Sequence, residues 1–483
     1  MALVLLLALL VLFAGCAPVE EVPPIDYQES AGRYREGVAS LAISRHYLGQ
    51  SWTRAAEQAL ESPVTAVLPF HEDLSFEPHA PRAAAFEFQA VRGHGITVRS
   101  NDTLIMQLFY RPGDGDGFRR VSETQEDREL VPLAERLPGQ GTLYFEPREH
   151  GDYILLVQPK PLEAVEATLS VTNQAVFEWP VEGTDEADIW SVFGDSRDGG
   201  RRVHHGIDIF APRGTPILSA SSSTVMRVGV RDRGGNIVTL YDEARGVFLY
   251  YAHLEEHRTQ RGLAVAPGET IGTVGNTGNA ETTPPHLHLG IYEESWRRPL
   301  DPWYFFVPVR DVDRFPAVDI DEIDSWVRVT TPQAPLHAHP EYIGGTIPSP
   351  ARFDARGNPV NASYRPPLFL ARGERLPETV ASAEALRVAG SHGSYLRVER
   401  PDGTWGYIDA SVVEGVGEAL EEVTLDRDTP VRMAPRSSAD LRGVVEEGSV
   451  VTILAYAGNH ALVFFSGYPG WIPIGTLEVL PAG

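Results

Sequence analysis

Histidine and aspartate residues with the spacing of metal ligands are the clearest chemical feature of this sequence. Six of the 15 histidines fall between Asp185 and Phe306, and one pair begins the string His204-His205-Gly206-Ile207-Asp208. In a strand, alternate side chains share a face, so we expect His204 and Asp208 to point one way and the neighbouring isoleucines to face a core. An imidazole nitrogen and a carboxylate oxygen brought together in this way suit Zn²⁺.

A second segment, Pro285-His286-Leu287-His288-Leu289, alternates histidine with leucine. The same period of two places His286 and His288 on one face of a strand and the leucines against the core. Imidazole rings beside an apolar core are costly to bury unless they have polar partners. Metal binding or catalysis would supply those partners, and two exposed histidines on an edge strand are the structural alternative.

A third segment, Val247–Leu254, is rich in β-branched and aromatic residues and predicts a strand that delivers His253 at its end. The string His253-Leu254-Glu255-Glu256-His257 also matches the inverted zinc-peptidase pattern His-x-x-Glu-His. That pattern requires a helix to bring its two histidines together. The sequence favours a strand followed by a loop, so we do not assign the string to that chemistry.

Taken together, these segments resemble the lysostaphin-type (LytM, duplicated hybrid motif) zinc metalloendopeptidases, which are peptidoglycan hydrolases. The resemblance extends from Phe193 to Trp303, roughly a quarter of the chain. Several motifs in order are more specific than any one of them. They are Phe193-Gly194, His204 to Asp208, Ala211-Pro212, Gly214-Thr215-Pro216, Gly234-Gly235-Asn236, Tyr251 to Leu254, Gly268 to Ala280 and Pro285 to His288.

The resemblance implies roles for five residues. His204, Asp208 and His288 correspond to the ligands of one Zn²⁺ per chain, and His253 and His286 correspond to two catalytic histidines that do not bind the metal. We expect His286 to act as the general base and His253 to orient the water or stabilise the oxyanion, although the two roles can be exchanged.

The glycines near these motifs have a structural explanation. Gly272, Gly275 and Gly278 recur every three residues, but the Lys and Ser/Thr of a nucleotide-binding loop and its following helix are missing. We therefore expect these glycines to permit tight turns beside the cleft.

The N-terminus predicts export. Residues 2–13 form an apolar run that is too short to cross a bilayer but suits a signal peptide. Because Ala14-Gly15-Cys16 follows, residues 1–15 resemble a lipoprotein signal peptide, Cys16 would be lipidated, and residues 16–27 would form a tether. Ala17 after the cysteine favours an outer-membrane lipoprotein that faces the periplasm. An ordinary cleaved signal with a chance cysteine is the alternative.

The elements that must position the site residues indicate a mainly β protein. Residues 28–62 have the apolar spacing of a helix pair with a break near Gly49, and residues 63–172 have the short alternating runs of a β-sandwich. By the resemblance, residues 185–306 form a LytM-type antiparallel β zinc peptidase domain.

A weak internal repeat follows the peptidase region. Residues 393–408 align with residues 458–472 around Gly-Tyr-Ile and Gly-Trp-Ile triplets. We expect two small β-barrels that resemble bacterial SH3-like domains, at 324–416 and 417–483. The first would carry an insertion of about 30 residues within 341–372.

Length and composition limit the function classes. The 483 residues suggest about three domains, and 42% hydrophobic and 22% charged residues are typical of globular proteins. The 41 Lys and Arg against 66 Asp and Glu give a net charge of −25, which repels phosphate backbones, so no nucleic acid is expected as a partner.

These observations predict an exported, membrane-anchored zinc metalloendopeptidase that cleaves the peptide cross-links of peptidoglycan. The SH3-like pair would raise the effective concentration of the enzyme on the wall. Two alternatives stay open: a non-enzymatic LytM-type activator of a cell-wall amidase, and a protease of the same fold that acts on proteins. The complete ligand set disfavours the first. Control by a regulatory protein partner is also open.

Overall fold

A computed structural model of the chain describes residues 47–77, 81–100, 104–112, 130–293, 298–309, 326–339, 342–343, 370–371 and 374–476. The signal peptide, Cys16, the tether, the first part of the helical segment and most of the predicted insertion lie outside these residues. Among the helices in the described part of the chain, none is long and apolar enough to cross a membrane.

One amphipathic helix, α1, spans Tyr47–Glu61. It buries Trp52 and Ala56, and the Trp52 indole donates a hydrogen bond to the Pro159 carbonyl at 2.8 Å. Gly49 lies inside α1, so the predicted break near Gly49 is wrong. A glycine inside a helix costs only about 1 kcal/mol, which burial of the Trp52 face readily offsets.

Two sheets follow α1 and share a core that is rich in aromatic residues. One sheet has the order β1-β3-β8-β5-β6, and β2, β9, β4 and β7 lie side by side in the other. Alternate residues of the strands, such as Phe86 and Phe88, are buried between the sheets. The strands are β1 Val64–Thr65, β2 Phe70–Phe76, β3 Ala84–Ala90, β4 His94–Arg99, β5 Leu104–Arg111, β6 Val131–Arg136, β7 Leu143–Phe145, β8 Gly151–Pro159 and β9 Val165–Ala175.

The next twelve strands and a short helix form the region that holds the site. Its main sheet has the order β10-β13-β20-β17-β16-β15-β18, with antiparallel neighbours throughout. One face of this sheet packs into a large apolar core. The elements are β10 Ile189–Ser191, β11 Ser196–Arg197, β12 Arg202–Val203, β13 Ile207–Phe210, β14 Pro216–Leu218, β15 Ser223–Arg231, β16 Gly235–Asp242, β17 Val247–His257, β18 Ala264–Val265, β19 Thr270–Val274, β20 His286–Glu293, β21 Arg298–Leu300 and α2 Trp303–Phe306.

The C-terminal part is also built from antiparallel strands. Its last six strands form one sheet around a core of their own. The SH3-like character of the two modules stays a prediction. The strands are β22 Trp326–Val329, β23 Gln333–His339, β24 Tyr342–Ile343, β25 Leu370–Ala371, β26 Glu374–Ala381, β27 Ala385–His392, β28 Tyr395–Glu399, β29 Trp405–Asp409, β30 Val413–Gly415, β31 Glu421–Thr424, β32 Thr429–Arg432, β33 Leu441–Val445, β34 Val450–Ala457, β35 His460–Phe465 and β36 Tyr468–Pro473.

A single sheet joins the regions before and after the site. Strand β2 pairs with β27, with Asp73 opposite Ser391, so the sheet runs β26-β23-β29-β28-β27-β2-β9-β4-β7. The site region contacts the N-terminal region as well, because Arg245 forms an ion pair with Glu146 at 2.7 Å. Segments far apart in sequence therefore support the site-bearing sheet.

Candidate active site

Three polar side chains converge on the face of the main sheet that lies opposite its core. The Nε2 atom of His204 lies 2.9 Å from Nδ1 of His288 and 3.1 Å from Oδ1 of Asp208, and that Oδ1 lies 2.9 Å from Nδ1 of His288. Asp208 on β13 is the direct cross-strand partner of His288 on β20. This pairing holds a carboxylate and an imidazole together without help from a loop.

His204 reaches the cluster from a loop and not from a strand. Strand β13 begins at Ile207, so the prediction that strand periodicity positions His204 is wrong. A Cβ atom on Gly206 would overlap the Leu289 carbonyl and lie 2.8 Å from Cε1 of His288. The missing side chain therefore lets the backbone pass close over β20 and brings His204 beside its partners.

Backbone carbonyls fix the orientation of three imidazole rings. The Nδ1 atoms of His204, His253 and His286 donate to the carbonyls of Val192, Thr277 and Pro284 at 2.9, 2.8 and 2.9 Å. A carbonyl can only accept a hydrogen bond, so the ring proton of each neutral histidine lies on Nδ1. The lone pair of each Nε2 atom is then free to act as a ligand or a base.

Asp208 is held as a carboxylate with its two oxygens in different roles. Burial alone would raise the pKa of Asp208, but the neighbouring imidazoles of His204 and His288 outweigh it and hold that pKa well below its usual range. Oδ1 faces the histidines, while Oδ2 accepts a hydrogen bond from Nη2 of Arg197 at 2.7 Å. Arg197 therefore leaves only Oδ1 directed at the cluster.

The cluster fits a zinc ion. A tetrahedral zinc with bonds of about 2.0–2.2 Å places its ligand atoms about 3.3–3.6 Å apart. The three donor atoms of His204, Asp208 and His288 are 2.9–3.1 Å apart and need only a small outward adjustment. Two imidazole nitrogens and one carboxylate oxygen are also a common donor set of catalytic zinc sites.

His253 adopts an unusual backbone conformation beside this cluster. Its φ of +67° lies in the left-handed region, which costs a residue with a side chain about 1–3 kcal/mol. Its N–H donates to the Gly234 carbonyl at 2.7 Å, and its ring lies 5.1 Å from that of His286 and 6.0 Å from that of His288. Burial lowers the pKa of His253 to about 4, although the Thr277 hydrogen bond opposes this. His253 is therefore neutral at neutral pH.

The string from His253 to His257 is not on a helix. Strand β17 continues to His257, beyond the expected segment that ends at Leu254, and the expected loop follows from Arg258. The metal-ligand group in the described residues is His204, Asp208 and His288, and His257 is not part of it.

Two aromatic residues that the sequence analysis missed form a stack that ends on His286. The Phe210 ring stacks on His286 with centroids 4.8 Å apart, and Trp190 stacks on Phe210 at 4.4 Å. Phe210 follows Asp208 by two residues on β13, so strand alternation could have identified it. Trp190 and Arg197 carry no such local signal, because their neighbours are set by the fold.

The expected turn glycines have two different functions. Only Gly278 has a positive φ, of +75°. Gly272 lies within β19, and a Cβ atom on Gly275 would overlap the backbone of Glu255. The expectation of tight turns is wrong for Gly272 and Gly275, because these two residues allow β17 to approach closely.

Residues 202–302 match the model of Peptidase family M23, a span that includes all five predicted polar residues. The "L-Ala--D-Glu endopeptidase" of Bacillus subtilis (strain 168) is 38% identical over 115 residues, which are 22% of this chain and 35% of that protein. The "Uncharacterized lipoprotein YgeR" of Escherichia coli (strain K12) is 32% identical over 133 residues, which are 26% of this chain and 50% of that protein. The chain thus spans half or less of the length of these relatives.

A solved structure of the catalytic domain of the antimicrobial peptidase lysostaphin from Staphylococcus simulans has 30% sequence identity to this chain. The alignment of the two covers 24% of this chain and 88% of the solved chain, with a TM-score of 0.22. Residues 202–302 of this chain are thus similar in sequence to peptidase family M23.

Proposed function

We propose that this chain is a zinc metalloendopeptidase that hydrolyses the peptide cross-links of peptidoglycan in the cell envelope. The observation that carries the proposal is the convergence of His204 Nε2, Asp208 Oδ1 and His288 Nδ1 within 3.1 Å of one another. The names of relatives add support, since one is called an "L-Ala--D-Glu endopeptidase" and another a "Peptidoglycan DD-endopeptidase ShyC".

The role of each of the five polar residues follows from the chemistry of its side chain. His204, Asp208 and His288 would hold one zinc ion, which when bound polarises the scissile carbonyl and activates water at neutral pH. His286 would accept the proton of the attacking water at Nε2, because its Nδ1 proton is donated to Pro284. His253 would orient that water through its own Nε2 lone pair or, once protonated there, stabilise the oxyanion, and the roles of His253 and His286 can be exchanged.

The aromatic stack gives His286 a defined position. Phe210 packs against one face of the imidazole, and the carbonyl of Pro284 holds its Nδ1 proton. A base that is fixed in this way needs little reorganisation when it takes a proton. Trp190 extends the stack to the surface and would form one wall of the substrate groove.

The location of the enzyme is part of the proposal. Export with a lipid on Cys16 would anchor the chain in the outer membrane, facing the periplasm, and the Escherichia coli relative that is called a lipoprotein supports an anchor. The two C-terminal modules would position the enzyme on peptidoglycan. A chain ending at Val416 that sediments with sacculi as well as the full chain would contradict a wall-binding role for the last module.

The amidase-activator alternative is not favoured, because an activator has no need of a complete ligand set with two further oriented imidazoles. A protease of the same fold that acts on proteins would use the same site. Digestion of purified sacculi beside an unfolded protein substrate separates these possibilities. We expect release of muropeptides without general proteolysis, and the reverse result would contradict the proposal.

A further inference from the structure

We propose that Arg227 and Arg231 form a carboxylate-binding strip at one edge of the active-site face and recognise acidic groups on the peptide arm of the substrate. This inference rests on the proposed function, because it names the substrate chemistry that the same site would accept. Both residues lie on β15, and both are exposed.

Strand register puts Arg227 on the same face of the sheet as the zinc-binding cluster. Arg227 pairs with Thr239 on β16, which pairs in turn with Tyr250 on β17. Directly paired residues of neighbouring strands share a face. Tyr251 is fully buried in the core, so Tyr250 faces the opposite side, where Ala252 pairs with His288.

Arg231 lies on the same face. It is four residues after Arg227 on β15, and residues at even spacing in a strand point to the same side. Val228, between them, packs against the core on the other side. The two arginines therefore form a strip about 13 Å long, at the usual rise of about 3.3 Å per residue.

The turn after β15 touches the active site directly. The carbonyl of Gly234 accepts the backbone N–H of His253 at 2.7 Å, and a Cβ atom on Gly234 would overlap the Tyr250 hydroxyl. The Tyr250 ring lies 6.0 Å from the ring of His288. Burial raises the pKa of Tyr250, and the charges of Arg231 and Arg227 oppose this, in keeping with guanidinium groups near the phenol. A continuous surface thus leads from His288 to the strip.

The two arginines have no acidic partner. Within the described part of the chain, neither Arg227 nor Arg231 forms an ion pair. Several other exposed arginines of this region are paired with acids, as in Arg202–Asp198, Arg213–Glu255 and Arg258–Glu256, whereas Arg233 in the turn after β15 is exposed and unpaired like the strip. In a chain with a net charge of −25, unpaired cations beside the active-site face favour an acidic ligand.

The geometry also gives the position of the acidic groups in the substrate. Strand β15 is three strands away from β20 in the sheet, or about 14 Å at about 4.8 Å per strand. An extended peptide spans about 3.3–3.6 Å per residue, so its carboxylates would lie within about four residues of the scissile bond.

The test uses the zinc-loaded full chain and two soluble cross-linked muropeptide dimers, one with free carboxylates and one with the same carboxylates amidated. The variant R227Q/R231Q is compared with the control R54Q/R148Q, which removes two exposed arginines on α1 and in the segment between β7 and β8. We expect kcat/KM of R227Q/R231Q to fall about tenfold on the carboxylate dimer, mainly through KM, and to stay unchanged on the amidated dimer. The control should match the wild type on both.

Equal activity of R227Q/R231Q and the wild type on the carboxylate dimer would overturn the inference. An equal loss on both dimers would also overturn it, because the arginines would then act on the structure and not on the charge of the substrate. If the wild type cleaves neither dimer, the proposed function fails and the inference fails with it. Zinc content and melting temperature, measured on every variant, identify a folding defect.

Discussion

In the described part of the chain, two buried polar clusters that each contain a carboxylate and an imidazole can be compared, and one of the two is arranged for a metal. In the joining sheet, Glu72 accepts hydrogen bonds from the Tyr407 hydroxyl at 2.8 Å and from Nδ1 of His392 at 3.1 Å, one on each oxygen. In the site region, Oδ1 of Asp208 faces two imidazole nitrogens, and the ring proton of His204 is already donated to Val192.

The difference shows what distinguishes a metal site from a satisfied polar core. Around Glu72, each carboxylate oxygen has a donor, so the cluster is complete as an internal network. Around Asp208, Oδ1 faces two imidazole nitrogens that also face each other, so a single proton cannot satisfy all three atoms, whereas a cation between them can. Residue types alone do not separate the two clusters, whereas the positions of their protons do.

The largest expected effect comes from removing a ligand. Asp208→Ala or His288→Ala should abolish zinc retention and reduce sacculus cleavage by at least about 10³-fold, because two donors do not hold zinc firmly. Metal analysis after desalting measures the first effect and muropeptide release the second. Glu72→Gln is the matched control and should retain both zinc and activity. Stoichiometric zinc in Asp208→Ala would contradict the assignment.

Removing a catalytic imidazole should separate binding from turnover. His286→Ala and His253→Ala should each keep about one zinc per chain and lower kcat by about 10²–10⁴-fold, since neither ring is a ligand in the proposed site. Zinc content and single-turnover rates check this. Undiminished activity of His286→Ala would remove that residue from the mechanism.

The Arg197 contact tests how strongly the surroundings of a ligand matter. Arg197→Met leaves Oδ2 of Asp208 without its hydrogen bond, so the carboxylate can rotate. We expect zinc affinity to fall about 10–100-fold, measured by competition with a chromogenic chelator. Arg213→Met, at an exposed ion pair with Glu255, is the control. An unchanged affinity in Arg197→Met would show that the bond has no role in holding the ligand.

A substitution in the cluster around Glu72 should change the stability of the protein and nothing else. Tyr407→Phe removes the buried hydroxyl that donates to Glu72, which should lower the free energy of unfolding by about 1.5–3 kcal/mol. Zinc content and kcat/KM should not change. Urea denaturation measures the effect, and Tyr468→Phe at an exposed position is the control. Loss of zinc in Tyr407→Phe would mean that the two clusters are coupled.

His94, a buried imidazole outside both clusters, gives a pH signature. Burial lowers the pKa of His94 to about 4. The unfolded chain takes up this proton near pH 6.5, whereas the folded chain takes it up only near pH 4. The contribution of His94 to the free energy of unfolding is therefore complete above pH 6.5 and decreases as the pH drops toward 4. The slope from this residue approaches about 1.4 kcal/mol per pH unit. The free energy of unfolding of His94→Asn, measured by denaturation between pH 4 and 6.5, should lack this slope. An identical slope in both proteins would contradict this explanation.

Strand periodicity explains why part of the site could be predicted from the sequence. Alternation correctly placed Leu287 and Leu289 in the core and His286 and His288 on the other face, because side chains of any strand alternate. Alternation does not determine the position of His204, since this residue lies in a loop whose path depends on the close approach of Gly206 to β20.

Contacts between distant segments could not be predicted in the same way. Nothing local to Asp73 or Ser391 indicates that β2 pairs with β27, because the backbone N–H and C=O groups of an edge strand can pair with many different strands. The contact of Arg197 with Asp208 likewise depends on how the β11–β12 hairpin folds back. Periodicity identifies which face a residue occupies, whereas the three-dimensional fold decides what faces it.

The most direct test of the central claim pairs two assays on the protein lacking residues 1–16. Zinc content is measured on the purified protein, and the products released from purified sacculi are analysed by mass spectrometry. We predict about one zinc per chain and conversion of cross-linked muropeptide dimers to monomers. A folded, zinc-supplemented sample that neither retains zinc nor cleaves the cross-links would contradict the account.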